Sequence, residues 1–178
     1  MKNTNYILET ERLYLRELTA LDAKNFYMLN LDPEVMKYTG DVPFKSIDSA
    51  KQFLENYSDY KNNGVGRWVV ILKSTQAFIG WCGIKYTSEL DEYDIGYRFF
   101  KNHWHKGYAT EAAKACIDLG FKTHNIKTIV GRAMTENKAS IKVLEKIGLA
   151  HAKNFDFDGN DGVIYKMNNP FTKNTKTT

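Results

Sequence analysis

A chain of 178 residues with 43% hydrophobic and 26% charged residues has the size and balance of one globular domain, so we expect a single domain over residues 1–178, ordered at about 8–170 with a frayed tail. Lysine and arginine exceed aspartate and glutamate by 25 to 21, and a net charge of +4 argues against a dedicated nucleic-acid binder. No apolar run reaches membrane-spanning length, and Cys82 and Cys116 have neither disulfide-framework nor metal-ligand spacing, which predicts a cytoplasmic protein with reduced thiols and no membrane partner.

Periodic patterns in the first half of the chain predict a strand, helical segments and a hairpin. Apolar residues alternate with polar ones over residues 13–18, which is typical of a strand with one buried face. Asp22 and the Asp32-Pro33 step favour helix starts. The predicted elements of this half are a strand at 13–18, a helix after Asp22, a short helix from Pro33, a helix at 46–60, and a hairpin of strands at 68–72 and 78–84.

The second half alternates strands with helices. A strand is predicted at 93–100, and the small and apolar residues after it recur at helical spacing from Ala109 onward. The further predicted elements are a strand at 126–133, a helix at 137–147 and a hairpin of strands at 152–157 and 163–167. Helical crossovers give parallel pairs and hairpins give antiparallel ones, so we predict an α/β (α+β) chain with one mixed, twisted sheet of six to seven strands flanked by helices.

The stretch WHKGYATEAA at residues 104–113 joins a strand to a helix and has the features of a phosphate site. Gly107 can adopt dihedral angles that are closed to other residues, and Ala109 keeps bulk away from the same backbone. The first N–H groups of a helix have no partner within it, and the helix dipole adds partial positive charge there. A pyrophosphate can bind at such a junction, so we predict a nucleotide-like cofactor.

Four segments of the chain, in order, resemble the GNAT superfamily of acyl-CoA-dependent N-acyltransferases. They are LETERLYLREL at 8–18, IGWCGIKY at 79–86, IGYRFFKNHWHKGYATEAA at 95–113 and ENKASIKVLEKIGL at 136–149. Together they look most like the branch that contains the ribosomal-protein N-terminal acetyltransferases. The superfamily's phosphate loop reads (Q/R)xxGx(G/A). Gly107 and Ala109 match it, whereas Trp104 replaces the usual Gln or Arg, which removes nothing essential because main-chain groups hold the phosphates.

The resemblance implies the GNAT fold and acetyl-CoA as the cosubstrate. The strand at 93–100 is expected along the pantetheine arm, with main-chain groups near its end pairing to the arm and an N–H near the thioester oxygen. The cofactor-binding residues implied are Phe99, His105, Lys106, Gly107, Tyr108, Ala109, Thr110 and Asn137. His103 and His105 have no third ligand at matching spacing, so we expect no metal.

Acyl transfer to an amine requires a group that removes the amine proton. Many GNAT members carry a carboxylate for this at the position that Asp94 occupies, so the resemblance makes Asp94 the first candidate base. Glu92 is the alternate, because it is two residues away on the same strand face. The other interpretation is that both carboxylates, with Glu89 and Asp91, form a solvated acidic turn that at most attracts a cationic amine.

The departing thiolate benefits from a proton donor. Many GNAT enzymes use a Tyr on the second conserved helix, but Leu144 stands at that position here. Ser140 is the replacement we predict, because it lies three residues after Asn137, as in the NxxS pattern of the ribosomal-protein branch. The alternative is that Asn137 and Ser140 only cap the helix, since both residue types satisfy free N–H groups at helix starts.

These observations predict an enzyme that moves acetyl from acetyl-CoA to a primary amine by direct attack. A protein N-terminus is the acceptor that the resemblance suggests, and a small amine such as an aminoglycoside, a polyamine or an amino acid is the runner-up. The segments at 32–63 and 151–162 are expected to decide between an open groove and a closed pocket. The rival functions are a non-catalytic acyl-CoA sensor, motivated by Leu144, and an RNA-associated module. A homodimer is plausible.

Overall fold

The computed structural model describes residues 5–171, which form one eight-stranded sheet with helices on both faces. The strands are β1 (Leu8–Glu9), β2 (Leu13–Glu17), β3 (Arg67–Leu72), β4 (Ala77–Thr87), β5 (Glu92–Phe99), β6 (Thr128–Met134), β7 (Ala150–Phe157) and β8 (Asn160–Asn168). The α-helices are α1 (Ala23–Leu29), α2 (Pro33–Met36), α3 (Ile47–Glu55), α4 (Asp59–Asn63), α5 (Tyr108–Lys122) and α6 (Lys138–Lys146). The tail that was expected to be frayed lies outside the described residues.

The strand order across the sheet is β1-β2-β3-β4-β5-β6-β8-β7, and neighbouring strands pair antiparallel except β5 and β6. The predicted mixed sheet and both predicted hairpins are confirmed. The predicted number of strands, six to seven, was one too low. The additional strand, β1, has only two residues, which is too short for an alternating pattern to reveal it.

The single helix predicted at 46–60 is instead two helices, α3 and α4. The Asn56 side chain donates a hydrogen bond to the main-chain oxygen of Gln52, which competes with helix propagation at the C-terminus of α3. After the break, the Tyr57 hydroxyl accepts a hydrogen bond of 2.7 Å from the main-chain N–H of Arg67. This contact ties the interrupted segment to the start of β3.

The two faces of the sheet bury separate clusters. We call them the α5 face and the α1 face, after the helices that cover them. On β5 the residues Tyr93, Ile95, Tyr97 and Phe99 point to the α5 face, within the larger apolar cluster. Glu92, Asp94, Gly96 and Arg98 alternate with them and point to the α1 face, whose smaller apolar cluster includes residues of α1 and α3. Alternate side chains of β5 therefore lie in two different environments.

Helix α5 packs on the sheet with small residues at part of its inward face, among them Ala112, Ala113 and Gly120. A Cβ atom on Gly120 would lie 2.6 Å from Ile84 Cδ1 on β4, so a larger residue there would displace the helix. Cys82 of β4 and Cys116 of α5 are fully buried at this contact, and both are free thiols. Among residues 5–171, no helix combines the length and the hydropathy that crossing a bilayer requires.

Candidate active site

The loop between β5 and α5 forms a cradle of main-chain N–H groups. Gly107 precedes the helix with φ = 80° and His105 has φ = 59°, both in the left-handed region, so the chain turns sharply into α5. The first intrahelical hydrogen bond runs from Glu111 N–H to Gly107 O, and no side chain caps the helix. The N–H groups before it, at residues 108–110, lack an intrahelical partner and suit an anion.

Arg12, which no pattern in the sequence indicated, anchors this loop from the turn before β2. Its guanidinium donates to Lys106 O at 2.9 Å and to the Glu111 carboxylate at 2.7 Å, and it lies 4.6 Å from the Tyr108 ring centroid. Burial opposes ionisation of Glu111, but hydrogen bonds from Thr10 and Arg12 outweigh it and lower the pKa of Glu111. Arg12 thus neutralises a carboxylate that would otherwise repel a phosphate.

Trp104 fixes the other end of the loop. Its indole N–H donates a hydrogen bond of 2.8 Å to the main-chain oxygen of Phe99, the residue near which pairing to the pantetheine arm was predicted. One acceptor site of that oxygen is therefore already used within the protein. Trp104 thus has a structural role in the loop, and its replacement of Gln or Arg without loss of phosphate binding stays a prediction.

The β5–β6 pair opens into a wedge. Only Tyr93–Ile129 and Asp94–Val130 are paired, at the start of both strands, and beyond them the two strands diverge toward the loop and toward α6. Main-chain groups of β5 on the β6 side therefore have no strand partner after Asp94. A parallel pair that separates after its first residues can admit a linear chain between its strands.

Asp94 lies at the point of divergence, on the α1 face. Its Oδ1 atom accepts a hydrogen bond of 2.6 Å from Arg67, whose guanidinium also donates to the main-chain oxygens of Asp94 and Gly83. Arg67 fits because Gly96 has no side chain, since a Cβ there would lie 2.7 Å from the guanidinium carbon. Asp94 Oδ2 is 3.7 Å from Arg132 Nη1, beyond hydrogen-bond distance.

Glu92 and Asp94 share a cation. Arg132 of β6 is paired with Glu92 and lies within ion-pair distance of Asp94. Both carboxylates are half-buried, whereas Glu89 and Asp91 are exposed in the preceding turn. The acidic cluster seen in the sequence is therefore divided in space, and the two candidate bases are not part of a solvated turn.

The α1 face carries a further arginine that the sequence analysis did not single out. Arg98 is only 10% exposed, hydrogen-bonds Asn30 and pairs with Asp41 at 2.5 Å. Burial lowers the pKa of Arg98, and the Asp41 carboxylate opposes that shift. Arg67 and Arg98 both lie 5.3 Å from the ring centroid of Trp81, so both guanidinium groups are near the same indole ring.

On the α5 face, the structure brings Tyr97 to the predicted acid. The Tyr97 hydroxyl lies 2.9 Å from both the hydroxyl and the main-chain oxygen of Ser140. Asn137 caps α6 by accepting a hydrogen bond from Ser140 N–H, so the capping alternative holds for the Asn137 side chain, while the Ser140 side chain does not cap. Leu144 is 1% exposed and packs in the core.

The sequence signature of the family described as "Acetyltransferase (GNAT) domain" matches residues 12–150. This chain is a member of the GNAT acetyltransferase family. The matched range contains the loop, the wedge, Asp94 and Ser140, so each feature of the candidate site lies within the family domain. The expectation of the GNAT fold is confirmed, and the chain is an N-acetyltransferase.

Comparison with individual proteins gives the same family and leaves the acceptor open. The chain is 37% identical to the uncharacterized N-acetyltransferase p20 of Bacillus licheniformis over 142 residues, which is 79% of this chain and 80% of that protein. A ribosomal-protein-S5-alanine acetyltransferase from Vibrio fischeri superposes with a TM-score of 0.78 at 22% identity, over 92% and 97% of the two chains. A spermidine N-acetyltransferase from Vibrio cholerae, solved with CoA and spermine, gives 0.75 at 20% identity over 90% and 97%. At these identities both structures show the fold alone.

Proposed function

We propose that this GNAT enzyme transfers acetyl from acetyl-CoA to a primary amine by direct attack, with a protein N-terminal amine as its acceptor. The observation that carries the proposal is the wedge between β5 and β6, which runs from Asp94 to the uncapped start of α5. A pantetheine arm fits between diverging strands, and the pyrophosphate fits the N–H groups of Tyr108, Ala109 and Thr110. His105 and Lys106 contribute exposed groups at the same end.

Asp94 is the group we assign to remove the amine proton, directly or through a water molecule. Among the described residues no donor lies within hydrogen-bond distance of its Oδ2 atom, whereas Arg67 holds Oδ1 and fixes the carboxylate in place. A positioned carboxylate with one available oxygen meets the geometric requirement for a general base. Glu92 is the weaker candidate, because its carboxylate is bound directly by Arg132.

Direct attack is supported by the state of the two thiols. Cys82 and Cys116 are fully buried between β4 and α5. Burial raises the pKa of the Cys116 thiol well above its usual range, and the contact with Cys82 raises it further. A neutral, inaccessible thiol is a poor nucleophile, so the chain offers no cysteine for a covalent acetyl intermediate.

A peptide acceptor is favoured by the rim of the α1 face. The segments that were expected to shape the acceptor site meet there, since a Cβ atom on Gly40 would lie 3.1 Å from the Phe157 ring. Beside Asp41 the side chain of Val42 is 86% exposed, and Leu31 is 43% exposed. Apolar side chains at an open edge suit the residues that follow an N-terminal amine better than they suit a small polar amine.

The test is acetyl-CoA titration by calorimetry, followed by measurement of CoA release with a panel of peptide N-termini, polyamines, aminoglycosides and amino acids. We expect acetyl-CoA to bind and CoA to be released when a peptide N-terminus is the acceptor. Release only on small amines would assign the runner-up acceptor class. Recovery of acetyl on a cysteine of the protein during turnover would contradict direct attack, and no binding would overturn the donor assignment.

A further inference from the structure

The Tyr97 hydroxyl can hydrogen-bond Ser140 in two alternative ways. The Tyr97 hydroxyl has one proton and two acceptors at 2.9 Å, the side-chain oxygen and the main-chain oxygen of Ser140. If Tyr97 donates to the main chain, the Ser140 hydroxyl donates to Tyr97 and its proton is occupied. If Tyr97 donates to the side-chain oxygen, the Ser140 proton is released for another acceptor.

The pair lies beside the open part of the wedge, where the proposed arm of CoA would run. Tyr97 lies three residues beyond Asp94, the last residue of β5 that pairs with β6, and therefore in the open part of the wedge. Ser140 lies in the first turn of α6, which follows the diverging strand β6. Both residues are half-buried. The position at which the family usually has a Tyr cannot supply the proton donor, because Leu144 stands there. Leu144 is buried, and its side chain would lie 2.5 Å from a Cβ atom on Gly131.

We propose that Tyr97 is a positioning residue for the acetyl-transfer reaction: its hydroxyl donates to Ser140 Oγ and thereby directs the Ser140 proton toward the sulfur of CoA. The proposal rests on the function proposed above. Both hydroxyls keep their protons, and the only change is the direction of two hydrogen bonds. A chain of two hydroxyls polarises its last donor, which strengthens the hydrogen bond to a thiolate.

Tyr97 is suited to donate because it stays protonated. Burial raises its pKa, the hydrogen bond with Ser140 lowers it by less, and Cys82 and Asp94 raise it further. Cys82 lies opposite Tyr97 on β4, and Asp94 acts from the other face of the same strand. The phenol is thus a neutral donor at neutral pH.

The decisive measurement is the titration of the CoA thiol bound to the enzyme, followed by thiolate ultraviolet absorbance after subtraction of ligand-free protein, which removes Cys82 and Cys116. A donor to the sulfur favours the thiolate, and a second hydroxyl that donates to Ser140 strengthens that donor. At a fixed pH below the titration midpoint, we expect Tyr97→Phe and Ser140→Ala each to lower the thiolate fraction about three- to tenfold, the range of one hydrogen bond. The double variant should lose no more than Ser140→Ala alone.

Tyr165→Phe is the matched control. The Tyr165 hydroxyl also tethers α6, through a hydrogen bond of 3.0 Å to Glu145, but it does not contact Ser140. We expect this variant to leave the titration unchanged. Equal effects of Tyr97→Phe and Tyr165→Phe would show that both only anchor the helix, and the Tyr97 assignment would fail.

Turnover gives a second readout. We expect Tyr97→Phe to lower kcat about tenfold while KM for acetyl-CoA stays within about twofold, because the hydroxyl acts on the leaving group and not on the phosphates. An unchanged titration in Tyr97→Phe, with CoA bound, would overturn the role of Tyr97 and leave the proposed function standing. If wild-type enzyme bound no CoA, the proposed function would fail first and this inference with it.

Discussion

On its α5 face, β5 buries Ile95 and Phe99 and presents a single hydroxyl, Tyr97, to α6, whereas on its α1 face the same strand carries Asp94 and Arg98 in ion pairs. The apolar side chains on the α5 face are held in place by packing. The polar face requires that every charge has a partner, because half-buried ions are costly when unpaired. One strand can thus place a neutral donor on one side of the wedge and a carboxylate on the other.

The largest expected effect comes from removing the Asp94 carboxylate on the α1 face. Asp94→Asn keeps the shape but cannot accept a proton, so we expect kcat to fall about a hundredfold or more. Steady-state kinetics on the acceptor found by the panel would measure this. Glu92→Gln is the matched variant, and a larger loss there than in Asp94→Asn would transfer the role of base to Glu92.

Gly96→Ala tests whether Arg67 positions that carboxylate. The new methyl would lie 2.7 Å from the Arg67 guanidinium and displace it, so we expect a loss of about 1–3 kcal/mol in unfolding free energy and about a tenfold fall in kcat. Denaturant unfolding and kinetics are the measurements. The same substitution in an Arg67→Ala background should cost much less stability, and equal costs in both backgrounds would refute the role of Arg67.

At the α5 end of the wedge, Arg12→Ala should weaken the binding of CoA without slowing the chemical step. We expect Kd for CoA to rise about tenfold with kcat nearly unchanged, because the variant leaves the Glu111 charge beside the phosphate cradle. Calorimetry measures Kd. Lys73→Ala removes a neighbouring cation that pairs with Glu9 instead, and it should leave Kd unchanged. Equal losses in the two variants would indicate only a general effect of positive charge.

The smallest effect is a pH dependence of stability from Glu111. Its pKa is lower in the folded protein than its ordinary 4.5, so its contribution to stability is present above that value and is lost as the pH falls through the folded pKa. We expect wild type to exceed Glu111→Gln in Tm by a few degrees at neutral pH, and the difference to vanish in acid. Thermal unfolding across pH checks this. A difference that persists in acid would assign the effect to packing.

Part of the site was predictable from local pattern. Gly107 and Ala109 identified the strand-to-helix junction, because the conformation of a tight turn and the free N–H groups of a helix start depend on adjacent residues. The alternation along β5 also placed Asp94 and Glu92 on one face. Sequence reasoning could not find the break in the helix predicted at 46–60, since the Tyr57 contact that accompanies it reaches ten residues ahead.

The sequence alone predicted the family, most of the order of elements and the strand-to-helix junction at Gly107, because each is expressed in residues close together in the chain. Tertiary structure decided the partners of the site residues. Arg67 is 27 residues from Asp94, Tyr97 is 43 from Ser140, and Arg12 is 99 from Glu111, so no local period or motif connects them. These pairs form only when the sheet assembles and its faces are covered, and the choice of partner then follows from the requirement to satisfy buried polar groups.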